Sequence, residues 1–250
     1  MSQPEILPES APDKASEAYI RIHGVTKKFD AITAVDRVDL NIRKGEIFAL
    51  LGASGCGKTT TGLAILRLIE PTDGQVIFQG KDIAQFTKEE TLKLRQEMQI
   101  IFQDPYASLD PRMTVAASVT EPLLNKKTLS RGQQRSLAAE LLSIVGLRTS
   151  DLDRYPHEFS GGERQRICIA RALSLQPRFV ILDESVSALD VSVQAQALNL
   201  LMDLQAERGL SYLFIAHDLA VVEYMSHEVL VMYVGKIMER ADRDALYRSP

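Results

Sequence analysis

Tryptophan is absent from the sequence, and only two of its 250 residues are cysteines, Cys56 and Cys168. The two cysteines form no C-x-x-C pair and have no histidine at metal-ligand spacing, so a pair of reduced thiols fits them better than a disulfide or a zinc site. Long apolar runs are missing too. The longest, at 48–53 and 229–235, are far shorter than the about 18 residues of a membrane-spanning helix, and they predict buried strands.

An excess of positive charge is also missing, because 29 Lys and Arg residues stand against 33 Asp and Glu residues, for a formal net charge of -4. This balance offers no general attraction for nucleic acid, and we expect no nucleic-acid partner. Residues 1–18 combine three prolines with scattered charge and lack the basic-then-apolar order of a secretion signal. They predict a disordered N-terminal tail on a protein that stays in the cytosol.

The remaining segment, 19–250, is long enough to bury one large core, and 45% of the residues are hydrophobic. Residues 19–25 and 35–42 alternate like paired strands, and later apolar strands are each followed by a helical stretch, as in an α/β fold with a parallel sheet. Residues 104–176 predict a helical insertion. The other predicted elements are strands at 46–51, 71–80, 96–103, 178–184 and 210–218, a helix from Lys58 to about Ile69, and a hairpin at 229–239.

A glycine-rich loop, GASGCGKTT at 52–60, follows the predicted strand 46–51. Gly52, Gly57, Lys58 and Thr59 match the pattern G-x-x-x-x-G-K-[ST]. In this pattern backbone amides cradle phosphates, the lysine reaches the β and γ groups, and the hydroxyl holds Mg²⁺. Because a strand precedes the loop and a helix follows it, a phosphate site is favoured over a loop that is glycine-rich by chance.

Polar side chains end two later apolar strands. Asp183 can hold a metal ion there, and Glu184, one residue further on, is a candidate general base for water. His217 directly follows the apolar run LFIA, within the predicted strand 210–218, and could donate to a γ-phosphate. The alternative is a histidine at the end of a strand that bonds only to the backbone.

A second glycine-rich triplet, Ser160-Gly161-Gly162, stands at the start of a predicted helix, more than a hundred residues after the first loop. Glycines let backbone N–H groups approach an anion, and a helix N-terminus adds partial positive charge, so this triplet also predicts a phosphate contact. From position alone, Gln103 is either a plain polar strand end or a functional residue. Phe29 is either a core side chain or a stacking partner for adenine.

Six motifs, in this order, resemble those of the nucleotide-binding subunits of ABC transporters. They are GASGCGKTT, the glutamine of IIFQDPYASLDPRMTV, FSGGERQR, ILDES, SALD and the histidine of FIAHD, and the resemblance covers about residues 19–248. It implies a P-loop NTPase fold of ABC type, which is α/β with a mostly parallel sheet core, an antiparallel β subdomain and a helical insertion. It also implies ATP hydrolysis, with ATP and Mg²⁺ as ligands.

The resemblance assigns roles to the matching residues of this sequence. It implies catalytic roles for Glu184, His217 and Lys58, and a metal set of Thr59, Gln103 and Asp183. The implied nucleotide-binding residues are Phe29, Gly52, Ala53, Ser54, Gly55, Cys56, Gly57, Lys58, Thr59, Thr60 and Gln103. The implied signature, which acts on the nucleotide of a second subunit, is Ser160, Gly161, Gly162 and Glu163, and the implied D-loop is Ser187, Ala188, Leu189 and Asp190. Glu163 and Ser185 replace the glutamine and proline frequent in relatives, and neither change removes a phosphate ligand.

A narrower resemblance lies in IFQDPYASLDPRMTV, YPHEFSGGERQRICIARAL and SVSALDVSVQAQ, which are similar to the second ATPase subunit of oligopeptide and dipeptide importers, the peptide/nickel group. It implies two membrane-spanning permeases, a second ATPase subunit and, indirectly, an extracytoplasmic solute-binding protein as partners. A heterodimer is expected, with a homodimer left open, at the cytoplasmic side of the inner membrane as a peripheral subunit. Some members carry an iron–sulfur centre, and we expect none in this chain.

Four alternative functions stay open at this point. The same phrases occur in importers of nickel chelates, glutathione and some sugars, so the cargo is open. A soluble ABC ATPase of DNA repair or translation typically has a long coiled-coil insertion or two fused domains, which this sequence lacks. A nucleotide-binding module without turnover conflicts with the full set of Lys58, Asp183, Glu184 and His217. An exporter subunit is the fourth alternative.

Overall fold

Two β-sheets organise the chain in a computed structural model that describes residues 18–126 and 129–248. Apart from Ala18, the predicted N-terminal tail lies outside the described residues. The first sheet consists of β1 (Ala18–Phe29), β2 (Ile32–Arg43), β4 (Asp73–Phe78) and β5 (Lys81–Asp82). It is antiparallel, with strand order β2-β1-β4-β5.

The second sheet has six strands and is parallel except for one edge. Its strands are β3 (Ile47–Leu51), β6 (Met98–Ile101), β7 (Phe179–Asp183), β8 (Ser211–Ala216), β9 (Glu228–Tyr233) and β10 (Lys236–Asp242). Their order is β10-β9-β3-β8-β7-β6, and only β10 pairs antiparallel, with β9. This arrangement confirms the predicted mostly parallel core with an antiparallel β subdomain.

Helices cover both faces of the parallel sheet. Those outside the insertion are α1 (Lys58–Ile65), α2 (Lys88–Glu97), α7 (Val191–Arg208), α8 (Leu219–Met225) and α9 (Arg243–Arg248). Between β6 and β7 lie α3 (Pro105–Ser108), α4 (Val115–Thr120), α5 (Arg131–Ile144) and α6 (Gly161–Leu173), with short 3-10 turns at Glu121–Lys126, Thr149–Asp153 and Pro156–Glu158. Within the described residues, no helix is long and apolar enough to cross a bilayer.

Alternate residues of the central strands enter two different cores. Ala49 of β3 and Phe214 of β8 face a core shared with α4 to α8, whereas Leu50 and Leu213 face a core shared with α1 and the antiparallel sheet. Because both faces are covered, every residue of β3, β7 and β8 is buried. This burial explains why nearly all residues of these strands are apolar and do not alternate with polar ones.

The predicted end of the helix after the glycine loop was wrong. The helix after the glycine loop ends at Ile65, about four residues before the predicted end at Ile69. Arg67 takes a left-handed backbone conformation with φ of 52°, which interrupts the helix. Its guanidinium Nη1 donates to the carbonyl of Phe86 at 3.1 Å and to Thr91 Oγ1 at 3.0 Å, so contacts distant in sequence stabilise this end.

Leu213→Ala tests whether the central strand carries the core. Leu213 is fully buried in β8, so we expect its truncation to lower the free energy of unfolding by about 2–5 kcal/mol through lost burial and the cavity left behind. Leu68→Ala is the matched control, because Leu68 is about half exposed and should change stability by less than about 1 kcal/mol. Urea unfolding measures both, and equal effects would contradict the assignment.

Candidate functional site

The glycine loop after β3 closes around the side chain of Lys58, the first residue of α1. Its Nζ donates to the carbonyls of Gly52 at 2.7 Å and Ala53 at 2.9 Å, and the side chain is almost fully buried. The ammonium group therefore lies inside the loop, where its charge can act on a phosphate. Cys56 is buried in the loop, whereas Ala53, Ser54 and Gly55 are exposed.

Two glycines of this loop are required by close backbone contacts. A Cβ on Gly52 would lie 2.3 Å from the carbonyl oxygen of Met232 in β9. A Cβ on Gly57 would lie 2.2 Å from the carbonyl oxygen of Ala34 in β2, and Gly57 has φ of 109°, a conformation that favours glycine. Strands from both sheets thus pack closely against the loop. These contacts fix the loop backbone in the absence of a ligand.

Asp183, the last residue of β7, lies next to the start of α1. Its Oδ1 accepts a hydrogen bond from Thr59 Oγ1 at 2.9 Å. Burial raises the pKa of the Asp183 carboxyl, and the neighbouring Glu184 raises it further, against the hydrogen bond from Thr59 and the charge of Lys58. A carboxylate and a hydroxyl oxygen side by side suit Mg²⁺, which usually takes one or two protein oxygens together with substrate phosphates.

Glu184 is where the separate motifs meet. Its Oε1 lies 3.6 Å from Lys58 Nζ, and its Oε2 accepts from Gln103 Nε2 at 3.3 Å and lies 3.2 Å from His217 Nδ1. Lys58, Gln103 and His217 belong to the segments that follow β3, β6 and β8. Glu184 has φ of 47°, a left-handed conformation that is unfavourable for a side chain of this type and that recurs at functional sites.

The Ser160 triplet does not take part in this cluster; its hydrogen bonds are local. Ser160 caps α6 by accepting from the backbone N–H of Glu163 at 3.3 Å, and the Glu163 carboxylate accepts from the Ser160 backbone N–H and hydroxyl, both at 2.8 Å. These two donors lower the pKa of Glu163, with the backbone N–H the larger cause. A Cβ on Gly162 would lie 2.2 Å from Val193 of α7, so the triplet packs against the start of that helix.

The segment 187–190 connects Glu184 with α7. Ser187 Oγ donates to the carbonyl of Glu184 at 2.8 Å and lies 3.5 Å from Gln103 Nε2. Asp190 caps α7, accepting from the Val193 backbone N–H at 3.1 Å and from the Ser192 hydroxyl at 2.9 Å. Leu189 packs partly against the helical core, while Ala188 is exposed.

Phe29 ends β1 and is about half exposed, which argues against the core alternative. Lys27 Nζ lies 5.0 Å from the centre of its ring and donates to the carbonyl of Glu70 at 2.8 Å. The exposed ring is available for stacking on a planar base. No described contact joins Phe29 to the residues around Glu184.

Sequence reasoning missed several residues that shape the site. Ala34 and Met232 act through backbone oxygens, which leave no trace in residue type. Arg164 and Tyr106 stack on each other beside the signature and the segment after Gln103, and Arg171 ties the far end of α6 to the carbonyl of Ser108. For Tyr106, Arg164 and Arg171, the only sequence signal was that they lie in the quoted phrases that resemble ABC subunits.

Comparison with known proteins identifies the family. The sequence pattern described as "ABC transporter" matches residues 35–187, which is more than half of the chain. The chain belongs to the ABC transporter family. It therefore has the ATP-binding and ATP-hydrolysing domain of that family, as its motifs indicated.

Three relatives from this ABC transporter family are similar over most of the chain. The probable peptide ABC transporter ATP-binding protein y4tS of Sinorhizobium fredii is 48% identical over 94% of this chain and 70% of its own length. The oligopeptide transport ATP-binding protein OppF of Bacillus subtilis is 50% identical over 93% of this chain and 76% of its own length. The glutathione import ATP-binding protein GsiA of Pectobacterium atrosepticum is 52% identical over 88% of this chain, but over only 35% of its own length.

Two solved ABC structures agree with the fold. CbiO1 of Clostridium perfringens, part of the transporter complex cbiONQ, superposes with a TM-score of 0.84 at 26% identity, over 93% of this chain and 92% of that one. The cassette MJ0796, solved as a dimer in a post-hydrolysis state with ADP and Pi, superposes with a TM-score of 0.80 at 29% identity, over 90% of this chain and 98% of that one. The predicted ABC-type fold is confirmed.

Asp183→Asn should stabilise the ligand-free chain while it impairs function. The raised pKa of Asp183 means that the folded state disfavours the ionised carboxyl. Raising the pH through the pKa values of the unfolded and folded states therefore opposes folding, and lowering the pH through them favours folding. An amide keeps an acceptor for Thr59 without the charge. We expect the free energy of unfolding at pH 7 to rise by about 0.5–2 kcal/mol and Mg²⁺-dependent ATP hydrolysis to be lost.

The matched control for this prediction is Asp203→Asn, which removes an exposed carboxylate from α7 and should change neither property. Urea unfolding at pH 5 and pH 7 is the measurement. A loss of stability at pH 7 in Asp183→Asn would contradict the stated role of burial.

Proposed function

We propose that this chain is the ATP-hydrolysing subunit of an importer, with oligopeptides or dipeptides as cargo. The observation that carries the proposal is the convergence of Lys58, Gln103 and His217 on Glu184, beside the pair Thr59 and Asp183. The names of y4tS and OppF support a peptide cargo. GsiA has a similar identity, but its name states glutathione, so identity between ATPase subunits does not separate these cargoes. In this proposal the partner subunits select the cargo.

Each residue of the cluster has a chemical task in this proposal. Glu184 accepts a proton from the attacking water, and His217 and Lys58 stabilise negative charge that develops on the γ-phosphate. Gln103 orients the Glu184 carboxylate through its hydrogen bond. Thr59, Gln103 and Asp183 are the residues that would hold Mg²⁺, which supplies charge neutralisation of the phosphates when it is bound.

The nucleotide site is completed in part by the other residues of the loop. The backbone of 52–60 would surround the phosphates, and the exposed ring of Phe29 would stack on adenine. Ser160 to Glu163 would act on the nucleotide of a second ATPase subunit, since they belong to a different helix from the Glu184 cluster and bond locally. The segment Ser187 to Asp190 would connect the two sites. The dimeric state of the MJ0796 structure supports pairing with a second ATPase subunit.

A groove between the sheet edge and the helical insertion is a suitable contact surface for a permease. It encloses about 920 Å³, and α2, the segment after β6, the 3-10 turn at Glu121–Lys126 and α6 line it. Arg95, Phe102 and Leu92 contribute to its walls. An open groove of this size and mixed polarity can take a short helix of a partner, which we propose to be a segment of a membrane-spanning permease. The chain would then be a peripheral subunit at the cytoplasmic side of the inner membrane.

Glu184→Gln tests the assignment of the base. The variant keeps an acceptor for Gln103 but cannot take a proton, so we expect ATP binding to persist and phosphate release to fall by about 100- to 10,000-fold. It should accumulate as a closed dimer with ATP. Glu207→Gln, an exposed change on α7, is the control that should keep wild-type turnover. Hydrolysis near the wild-type rate in Glu184→Gln would exclude this residue as the base.

Capture of the chain from native membranes in mild detergent tests the importer assignment. We expect two multi-spanning permeases and a second ATPase subunit to be recovered with it. Leu92→Glu places a charge in the groove and should reduce permease recovery at least about tenfold, whereas Leu68→Glu, a similarly exposed leucine outside the groove, should not. Recovery only from the soluble fraction, without a membrane partner, would favour a soluble ABC ATPase instead.

A further inference from the structure

Arg164 is an unusual charge in the first turn of α6, because its guanidinium is buried. Its side chain is only 5% exposed, and its two hydrogen bonds go to backbone carbonyls, from Nε to Pro156 at 2.6 Å and from Nη2 to His157 at 3.2 Å. The third nitrogen, Nη1, makes no hydrogen bond within the described part of the chain. A buried cation with so few partners needs further compensation.

The ring of Tyr106 provides that compensation. The Arg164 guanidinium carbon lies 3.8 Å from the centre of the ring, which is the geometry of a cation–π contact. Tyr106 itself is 65% exposed, so its ring covers the guanidinium but contributes little to the core. The contact therefore serves Arg164 more than it serves Tyr106.

The two partners belong to different functional segments. Tyr106 follows Gln103 by three residues, and the turn between them is stiff, because the Asp104 side chain accepts from the Tyr106 N–H at 2.8 Å and its carbonyl accepts from Ser108 Oγ at 2.7 Å. Arg164 holds the turn 156–158 that leads into Ser160, and its own N–H donates to the Ser160 carbonyl at 2.9 Å. The contact between Tyr106 and Arg164 thus joins the segment 103–108 to the signature.

A second arginine fixes α3 at the opposite end of α6. Arg171 Nη1 donates to the carbonyl of Ser108 at 2.7 Å, and Nη2 donates to Glu121 at 2.6 Å. Two attachments, at Tyr106 and at Ser108, prevent α3 from pivoting on α6. The segment 103–108 and helix α6 are therefore expected to move as one unit.

We propose that Tyr106 and Arg164 are positioning residues that couple Gln103, at the Glu184 site of this chain, to Ser160, which completes the site of the second ATPase subunit. The inference rests on the proposed function. A displacement of Gln103 when the state of its own site changes would be passed through the ring and the guanidinium to the signature. Neither residue touches the nucleotide, so the pair affects turnover and leaves nucleotide capture by the 52–60 loop unchanged.

Tyr106→Ala tests this coupling in the assembly recovered from native membranes. Truncation opens the guanidinium to water, which can hydrate it, so we expect the melting temperature to stay within about 3 °C of wild type. The turnover number for ATP should fall about 3- to 30-fold, and the KM for ATP should change less than about twofold. Tyr106→Phe keeps the ring and should restore at least half of the wild-type turnover.

The pair itself is tested by a double-mutant cycle with Arg164→Lys, which removes the planar guanidinium but keeps the charge. If the two residues act through each other, the double variant should lose no more turnover than the worse single variant. Additive losses, an equal loss in Tyr106→Phe, or wild-type turnover in Tyr106→Ala would each overturn the inference. Absence of ATP hydrolysis in the wild-type assembly would instead overturn the proposed function.

Discussion

Parallel pairing of three neighbouring strands is the constraint on which the rest of this structure depends. β3 pairs with β8 so that Leu51 lies opposite Ala216, and β8 pairs with β7 so that Asp183 lies opposite Ile215. All three strands therefore end at one edge of the sheet, and the residues that follow them meet there. Without this register, Lys58 and Glu184, which are more than a hundred residues apart in sequence, would have no reason to lie within 4 Å of each other.

The same edge concentrates features that oppose folding. Lys58 and Asp183 are charged groups taken largely out of water, and Glu184 holds a left-handed backbone conformation. The surrounding structure tolerates them because the strands behind the site are largely apolar and buried on both faces. The buried strands of the sheet thus stabilise the fold, whereas the charged residues at its edge destabilise it. A bound nucleotide with its metal would compensate these charges.

Helix α6 relates the site of this chain to the surfaces that other subunits would use. Its first turn carries Ser160 and Glu163, its middle packs in the helical core, and its last turn carries Arg171, which forms part of the groove wall. Two arginines of this one helix hold α3, which directly follows Gln103. A rigid rod with such contacts at both ends can carry a displacement between a groove and a signature without a change of its own fold.

Local patterns in the sequence were sufficient for the glycine loop, for the apolar strands and for the order of the motifs, because backbone conformation and burial on both faces select residue types directly. Tertiary structure alone decided which of these residues meet. The end of α1 depends on contacts of Arg67 with the carbonyl of Phe86 and the hydroxyl of Thr91, and the shape of the loop depends on the carbonyl of Ala34. The stack of Tyr106 on Arg164 joins residues 58 positions apart by number, and nothing in either local pattern requires it. Backbone carbonyls and long-range contacts of this kind leave almost no signal in the sequence, because any residue type supplies the same carbonyl and many would tolerate the contact.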